Sequence, residues 1–212
     1  MSRRLLTYLC IDTSGSMNGE PIVAVNAGLQ ALLGSLRSNP YALDSVHLSI
    51  TTFDSEIKEV LPMTAIADVM LPEITCPKSG ATLLGAALEH ICEQVKRDVR
   101  KSTPTEKGDW KPILVILTDG KPTDTLAYTE VIPRLQACNF ATIVACAAGP
   151  KADPNQLKRL TDHVVSLDTM DAASFSKFFQ WVSETFSKDS QSRGATSSVE
   201  LPPPPTELNI VL

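Results

Sequence analysis

Leu5-Leu6-Thr7-Tyr8-Leu9-Cys10-Ile11-Asp12-Thr13-Ser14-Gly15-Ser16 is the stretch from which the fold of this 212-residue chain can be read. A short, mostly apolar run that stops at an acid and a Ser-Gly pair reads as a buried strand closed by a tight turn. Asp12, Ser14 and Ser16 fall at alternate positions, so that a carboxylate and two hydroxyls aim at one point. Oxygen donors of this kind suit Mg²⁺ or Mn²⁺, whereas zinc prefers imidazole or thiolate.

Two further segments belong with this one. Gly80-Ala81-Thr82 precedes a helical pattern from Leu83, and Ile113-Leu114-Val115-Ile116-Leu117-Thr118-Asp119-Gly120 is a second apolar strand that ends in an acid. Alone, each piece is ordinary: Asp-Thr-Ser-Gly-Ser serves as a turn, Thr82 as a helix N-cap, and Asp119-Gly120 as a turn pair. In this order they resemble the von Willebrand factor A (VWA) domain with its metal-ion-dependent adhesion site, across residues 4–186. The resemblance implies a metal held by Asp12, Ser14, Ser16, Thr82 and Asp119. The serine hydroxyls would coordinate, Thr82 would join in a closed, high-affinity arrangement, and the two acids would act directly or through water. Mg²⁺ is the implied ion, with Mn²⁺ its substitute and Ca²⁺ ranked behind both. One position would stay open for an acidic residue from a partner protein.

The rest of the chain alternates strand and helix patterns. Ile22, Val25, Leu29, Leu32, Leu33 and Leu36 recur at helical spacing and stop near Asn39-Pro40. Val46 to Phe53 reads as a strand, Asp54-Ser55 as a turn, and Ile57 to Met63 as an antiparallel edge strand. Leu84, Leu88, Ile91 and Val95 mark another helix face, and Lys101 to Lys111 a surface loop. Phe140 to Ala147 reads as a strand buried on both faces and His163 to Leu167 as a last short one. A final helix from Asp171 carries Phe175, Phe178, Phe179, Val182 and Phe186. This pattern predicts an α/β fold: a doubly wound, mostly parallel, Rossmann-like sheet with one antiparallel edge strand and helices on both faces. Ligands of such sheets gather beyond the carboxyl ends of the strands, where Asp12 and Asp119 fall.

Residues 1–186 are thus read as one domain and 187–212 as a tail, Ser-rich to Ser198 and then carrying Pro202 to Pro205. The closing Leu208-Asn209-Ile210-Val211-Leu212 is apolar enough to invite a partner, as an added strand or in a groove.

Composition limits the function classes. A net charge of −5 argues against nucleic acid as a partner, and no apolar run has the length of a membrane span. The first hydrophobic stretch is too short for a signal peptide. Cys10, Cys76, Cys92, Cys138 and Cys146 are odd in number and lack CxxC spacing, as expected of free thiols in a cytoplasmic protein. An enzyme is the alternative, a metal-dependent hydrolase or phosphatase using Asp12. The phosphatase reading wants a second acid where Ser14 stands, and a serine nucleophile wants a His base. His47, His90 and His163 all sit in structural patterns, so no catalysis is expected.

Within VWA domains, Thr118-Asp119-Gly120-Lys121-Pro122-Thr123-Asp124 narrows the resemblance, together with Met17-Asn18-Gly19-Glu20-Pro21-Ile22 and Phe175 to Ser183. These look like the bacterial TerY-type proteins of tellurium-resistance systems. That resemblance implies a scaffold working beside a protein kinase and a PP2C-type phosphatase. The zinc-ribbon module of some TerY-like chains is excluded here, because it needs paired CxxC motifs. Pro122-Thr123-Asp124 also reads as a capped helix start.

Overall fold

All eight residues of the first strand, β1 (Leu5–Asp12), are buried. Leu5, Leu9 and Ile11 point into one apolar layer, and Leu6, Tyr8 and Cys10 into a second on the opposite face. A strand buried on both sides is what a central position between two helical layers requires. The computed structural model describes residues 3–78, 80–191, 201–203, 205 and 209–210. Around β1 run β2 (Val46–Phe53), β3 (Ile57–Ala65), β4 (Ile113–Thr118), β5 (Thr142–Ala148), β6 (Val164–Leu167) and β7 (Asn209–Ile210), in the sheet order β3-β2-β1-β4-β5-β6-β7. The central strands are parallel, whereas β3 pairs antiparallel with β2 and β7 with β6.

One face is covered by α1 (Glu20–Ser38), α2 (Pro40–Ser45) and α6 (Ala172–Gln191), the other by α3 (Leu84–Asp98), α4 (Thr125–Ala137) and α5 (Pro154–Leu157). The α1 stripe read from sequence, from Ile22 to Leu36, is buried as expected. It packs with Phe175, Phe178, Phe179, Trp181, Val182 and Phe186 of α6. Pro40 ends α1, since it cannot continue a helical ladder. The Asn39 side chain then accepts from the Tyr41 and Ala42 amides and starts α2. The strand bounds shift slightly from the sequence reading. β3 continues to Ala65, and β5 starts at Thr142, leaving Phe140 to pack edge-on against Tyr8 at 6.3 Å.

The end of the chain departs most from expectation. α6 continues past Phe186 to Gln191. Beyond it Leu201 packs against the core and Pro202 is buried, its carbonyl accepting from Trp181 Nε1 at 2.9 Å. Asn209 and Ile210 pair with Ser166 and Val165, so the strand addition expected of the tail is made to this chain's own sheet. Leu208, Val211 and Leu212 lie outside the described residues. The antiparallel edge strand of the sequence reading is β3; β7 adds a second at the other edge.

Deleting residues 192–212 would strip the Trp181 indole of its acceptor and uncover a ring now 3% exposed. The expected cost is about 2 kcal/mol, which for a domain of this size lowers the melting midpoint by roughly 4–8 °C. Differential scanning calorimetry of the truncated chain measures it. An unchanged midpoint would show that the returning segment contributes nothing to stability.

Candidate metal centre

β1 and β4 are adjacent and parallel, with Ile11 opposite Leu117, so Asp12 and Thr118 leave the sheet side by side. Thr118 Oγ1 donates to Asp12 Oδ2 at 2.6 Å, and the Ser14 amide donates to Oδ1 at 2.7 Å. Asp12 is 0% exposed and fixed at both oxygens. The chain then turns away, with Thr13 N bonded to Phe53 O at 2.8 Å and Thr13 Oγ1 to Asp54 Oδ2 at 3.0 Å. Asp54 also accepts from the Glu56 amide, which closes the β2–β3 turn. A 3₁₀ turn at Gly15–Met17 buries Met17 in the core and leaves Ser16 exposed at the mouth. The hydroxyls of Ser14 and Ser16 lie 3.3 Å apart, and Ser16 Oγ donates to Asp119 Oδ1 at 2.9 Å.

Thr82 reaches the cluster through the neighbouring loop. Its amide donates to Thr123 Oγ1 at 3.2 Å, and Thr123 N donates back to Thr82 O at 2.9 Å. Gly120, next to Asp119, leaves just enough room, since a Cβ there would stand 3.1 Å from Thr82 Oγ1. The N-cap reading of Thr82 is replaced: Leu83 holds that position without a side-chain bond. Asp124 caps α3 from across the cleft, its oxygens accepting from Gly85 N at 3.1 Å and Ala86 N at 2.9 Å. It is also the N-cap residue of its own helix, α4, where the sequence reading puts it, although its side chain makes no capping bond there. At Gly85 a Cβ would lie 2.3 Å from Tyr128 N, so only glycine lets the two helix starts touch. Lys121 of the same loop pairs with Asp153 at 3.3 Å.

All five residues read as metal ligands therefore meet at one rim. Asp12, Ser14, Ser16 and Asp119 belong to one hydrogen-bonded network, and Thr82 is held beside Gly120. The sequence reading passed over Thr118 and Asp54, which orient Asp12 and Thr13. The strand-ending Thr-Asp-Gly motif was the available signal for Thr118. Burial pushes the Asp12 carboxyl up to about 6, against hydrogen bonds from Thr118 and Ser14, with Asp119 raising it further. Asp119 is also raised by burial, opposed by the Ser16 hydrogen bond and the charge of Lys151. Asp119 Oδ2 is buried without a partner. Two buried carboxylates and an unpaired oxygen are costly unless a cation shares the site. Among the described residues no three His, Cys, Asp or Glu side chains gather in a metal-holding group, so an ion here needs the hydroxyls as ligands. His47 pairs across from Leu6, at the far end of β1 from Asp12.

Among curated proteins no sequence matches this chain. Solved structures match its fold. The von Willebrand factor type A protein from Catenulispora acidiphila is 16% identical, with a TM-score of 0.61 over 88% of this chain and 43% of its own. The ArnB paralog VWA2 from Sulfolobus acidocaldarius is 19% identical, at 0.59 over 87% and 45%. Proximal thread matrix protein 1 from the mussel byssus, with a zinc-occupied MIDAS motif, is 17% identical, at 0.61 over 87% and 48%. The chain thus spans less than half the length of these structures. The von Willebrand factor type A domain family matches residues 8–181, and the chain belongs to that family.

Proposed function

We propose that Asp12, Ser14, Ser16, Thr82 and Asp119 hold a divalent cation through which the domain binds an acidic side chain of a partner protein. VWA domains mediate protein interactions, often through a metal at this motif. The observation that carries the reading for this chain is the buried, unpartnered Asp119 Oδ2 beside a second buried carboxylate. Two carboxylates offset the charge of a divalent ion, and hard oxygens favour Mg²⁺ or Mn²⁺. The mussel protein's zinc makes that ion a third one to test. A cation so held supplies a positive centre that an incoming carboxylate completes. Val23 and Leu126, 66% and 72% exposed in the first turns of α1 and α4, offer apolar contacts at the same end of the sheet.

A binding role, not a hydrolytic one, is supported by Asp12 itself: both oxygens are bonded and none of its surface is exposed to a phosphoester. The TerY-like motif supports a finer reading, a cytoplasmic scaffold whose partner is a protein kinase or PP2C-type phosphatase. Among the described residues no helix is long and apolar enough to cross a membrane. The TerY-like residues also have structural tasks: Thr123 and Asp124 tie α3 to α4, and the Phe175 to Trp181 set fills the core. Co-purification with and without EDTA from cells carrying the candidate kinase and phosphatase tests the partner, and metal-independent recovery would reject this mode of binding.

Saturation with Mg²⁺ or Mn²⁺ at about a hundred times Kd should add roughly 2.7 kcal/mol of stability, raising the midpoint by roughly 5–11 °C over EDTA. Asp12→Ala should abolish the rise, and an equal rise in that variant would remove the site.

A pH signature accompanies it. In metal-free protein the folded carboxyl of Asp12, near 6, lies above its ordinary 3.8, so the native state keeps the proton longer. Stability is therefore lost as pH rises from about 4 to 6, by about 3 kcal/mol for a two-unit difference. Asp12→Asn should flatten that slope and melt higher than wild type in EDTA at pH 7. It should also lose the metal response. Thermal melts across pH decide it; a variant that keeps the wild-type slope contradicts the assignment.

A further inference from the structure

Opposite the metal loops, at the amino end of the sheet, the chain gathers positive charge. Residues 3–4 and 99–111 hold six cations, Arg3, Arg4, Arg100, Lys101, Lys107 and Lys111, against two acids, Glu106 and Asp109. That is a net +4 in a chain of −5, which leaves −9 for all its other residues. The fold brings the two stretches together. Trp110 N donates to Arg4 O at 3.0 Å, and Arg4 pairs with the Asp109 carboxylate at 2.6 Å. The Arg3 guanidinium donates to Gly108 O at 2.8 Å and Asp109 O at 3.0 Å, and lies 5.7 Å over the Trp110 ring. The loop is also folded back on itself. Asp109 N donates to Arg100 O at 2.9 Å and Gly108 N to Ser102 Oγ at 3.0 Å, and a Cβ at Gly108 would stand 2.5 Å from Arg100 O. Arg100, Lys101, Lys107 and Lys111 are exposed and form no ion pair among the described residues. Lys58, Lys96, Arg97, Lys121 and Arg134, by contrast, each have an acid partner.

We propose that this pole docks a carboxylate-rich segment of a partner protein, independently of the metal centre. Exposed cations on a loop held in one conformation are pre-organised, so little ordering is lost when an anion settles on them. Lys101, Lys107 and Lys111 are point charges, which suit scattered carboxylates better than the forked grip that a phosphate draws from arginine. The surroundings favour a short segment over an extended polyanion. A nucleic-acid duplex or an anionic membrane reaches well past one loop and meets the −9 borne by the rest of the chain. Trp110, half-buried between Arg3 and the core, offers no open face for base stacking. Residues 99–111 include no exposed large apolar side chain to enter a bilayer. β1 spans the distance between the two poles, eight residues or roughly 26 Å. A segment on this loop and a carboxylate at the metal therefore do not compete.

Fluorescence anisotropy of a labelled deca-glutamate peptide titrated with the full chain at low ionic strength tests this. EDTA is present throughout, so that no carboxylate binds through a metal. The peptide should bind, and added salt should weaken it. Lys101→Glu/Lys107→Glu should lower the affinity by about tenfold or more. Lys58→Glu/Lys78→Glu makes the same change in net charge on exposed lysines at the metal end and should leave the affinity unchanged. All four side chains are exposed, so both variants should fold, which thermal melts check. No binding by the wild-type chain, equal loss in the two double variants, or tighter binding to duplex DNA or phosphatidylserine vesicles than to the peptide would each overturn the proposal.

Discussion

Burial of Asp12 and Asp119 side by side at the carboxyl edge of the sheet is the constraint from which the rest of this structure follows. Each carboxylate is at most 1% exposed, and each is pushed toward its neutral form by desolvation. A fold that aims only at stability would place apolar residues there. This one instead bonds the acids with the hydroxyls of Ser16 and Thr118 and the Ser14 amide, which hold the charged form without neutralising it, and sets the Ser14 hydroxyl against that of Ser16. Hydroxyl groups can turn to donate to a carboxylate or accept toward a cation, so the same set serves the site empty or filled. The sheet pays for this arrangement locally, and the two apolar layers on either side supply the stability that permits it.

That constraint explains the care with which the surrounding loops are tied. Three loops from distant parts of the sequence must keep their oxygens converging. Asp54 holds Thr13, Thr123 holds the Thr82 backbone, and Asp124 caps α3 from the α4 side. Direct backbone contact at Gly85 then makes α3 and α4 one unit. A displacement of either helix would carry Thr82 or Asp119 with it. The polar residues of the Thr-Asp-Gly-Lys-Pro-Thr-Asp stretch thus divide between the rim and the joint behind it.

Much of this was legible in the chain. The continuous burial of β1 and β4 left no ambiguity about strands covered on both faces, and the three- and four-residue spacing from Ile22 to Leu36 marked α1. The five rim residues were readable because strand ends in a doubly wound sheet fall on one edge. What could not be read were interactions between segments far apart in sequence. Asp124 looks like a cap for its own helix, and only the tertiary approach of α3 shows that it caps another. α4 carries Pro133 inside it, which interrupts the helical pattern locally although the fold holds the helix together. The linker composition after Ser187 gave no sign that Trp181, an ordinary core residue by its spacing, would take its hydrogen bond from Pro202.

The returning segment also changes what the two sheet edges can do. An open parallel edge at β6 would present unpaired backbone groups to any passing strand, a common route to aggregation or unintended pairing. Here β7 covers part of that edge and β3, with its exposed Lys58 and Glu56 beside it, guards the other. At the carboxyl end of the sheet, exposed Ser16 opens onto two buried acids, and Val23 and Leu126 stand exposed in the first turns of α1 and α4. A contact there combines directional bonding through the oxygen cluster with apolar area around it, the division between specificity and affinity that compact interfaces use. Burial of charge at the carboxyl end of the sheet and the short antiparallel strands at its two lateral edges are thus separate features of one fold.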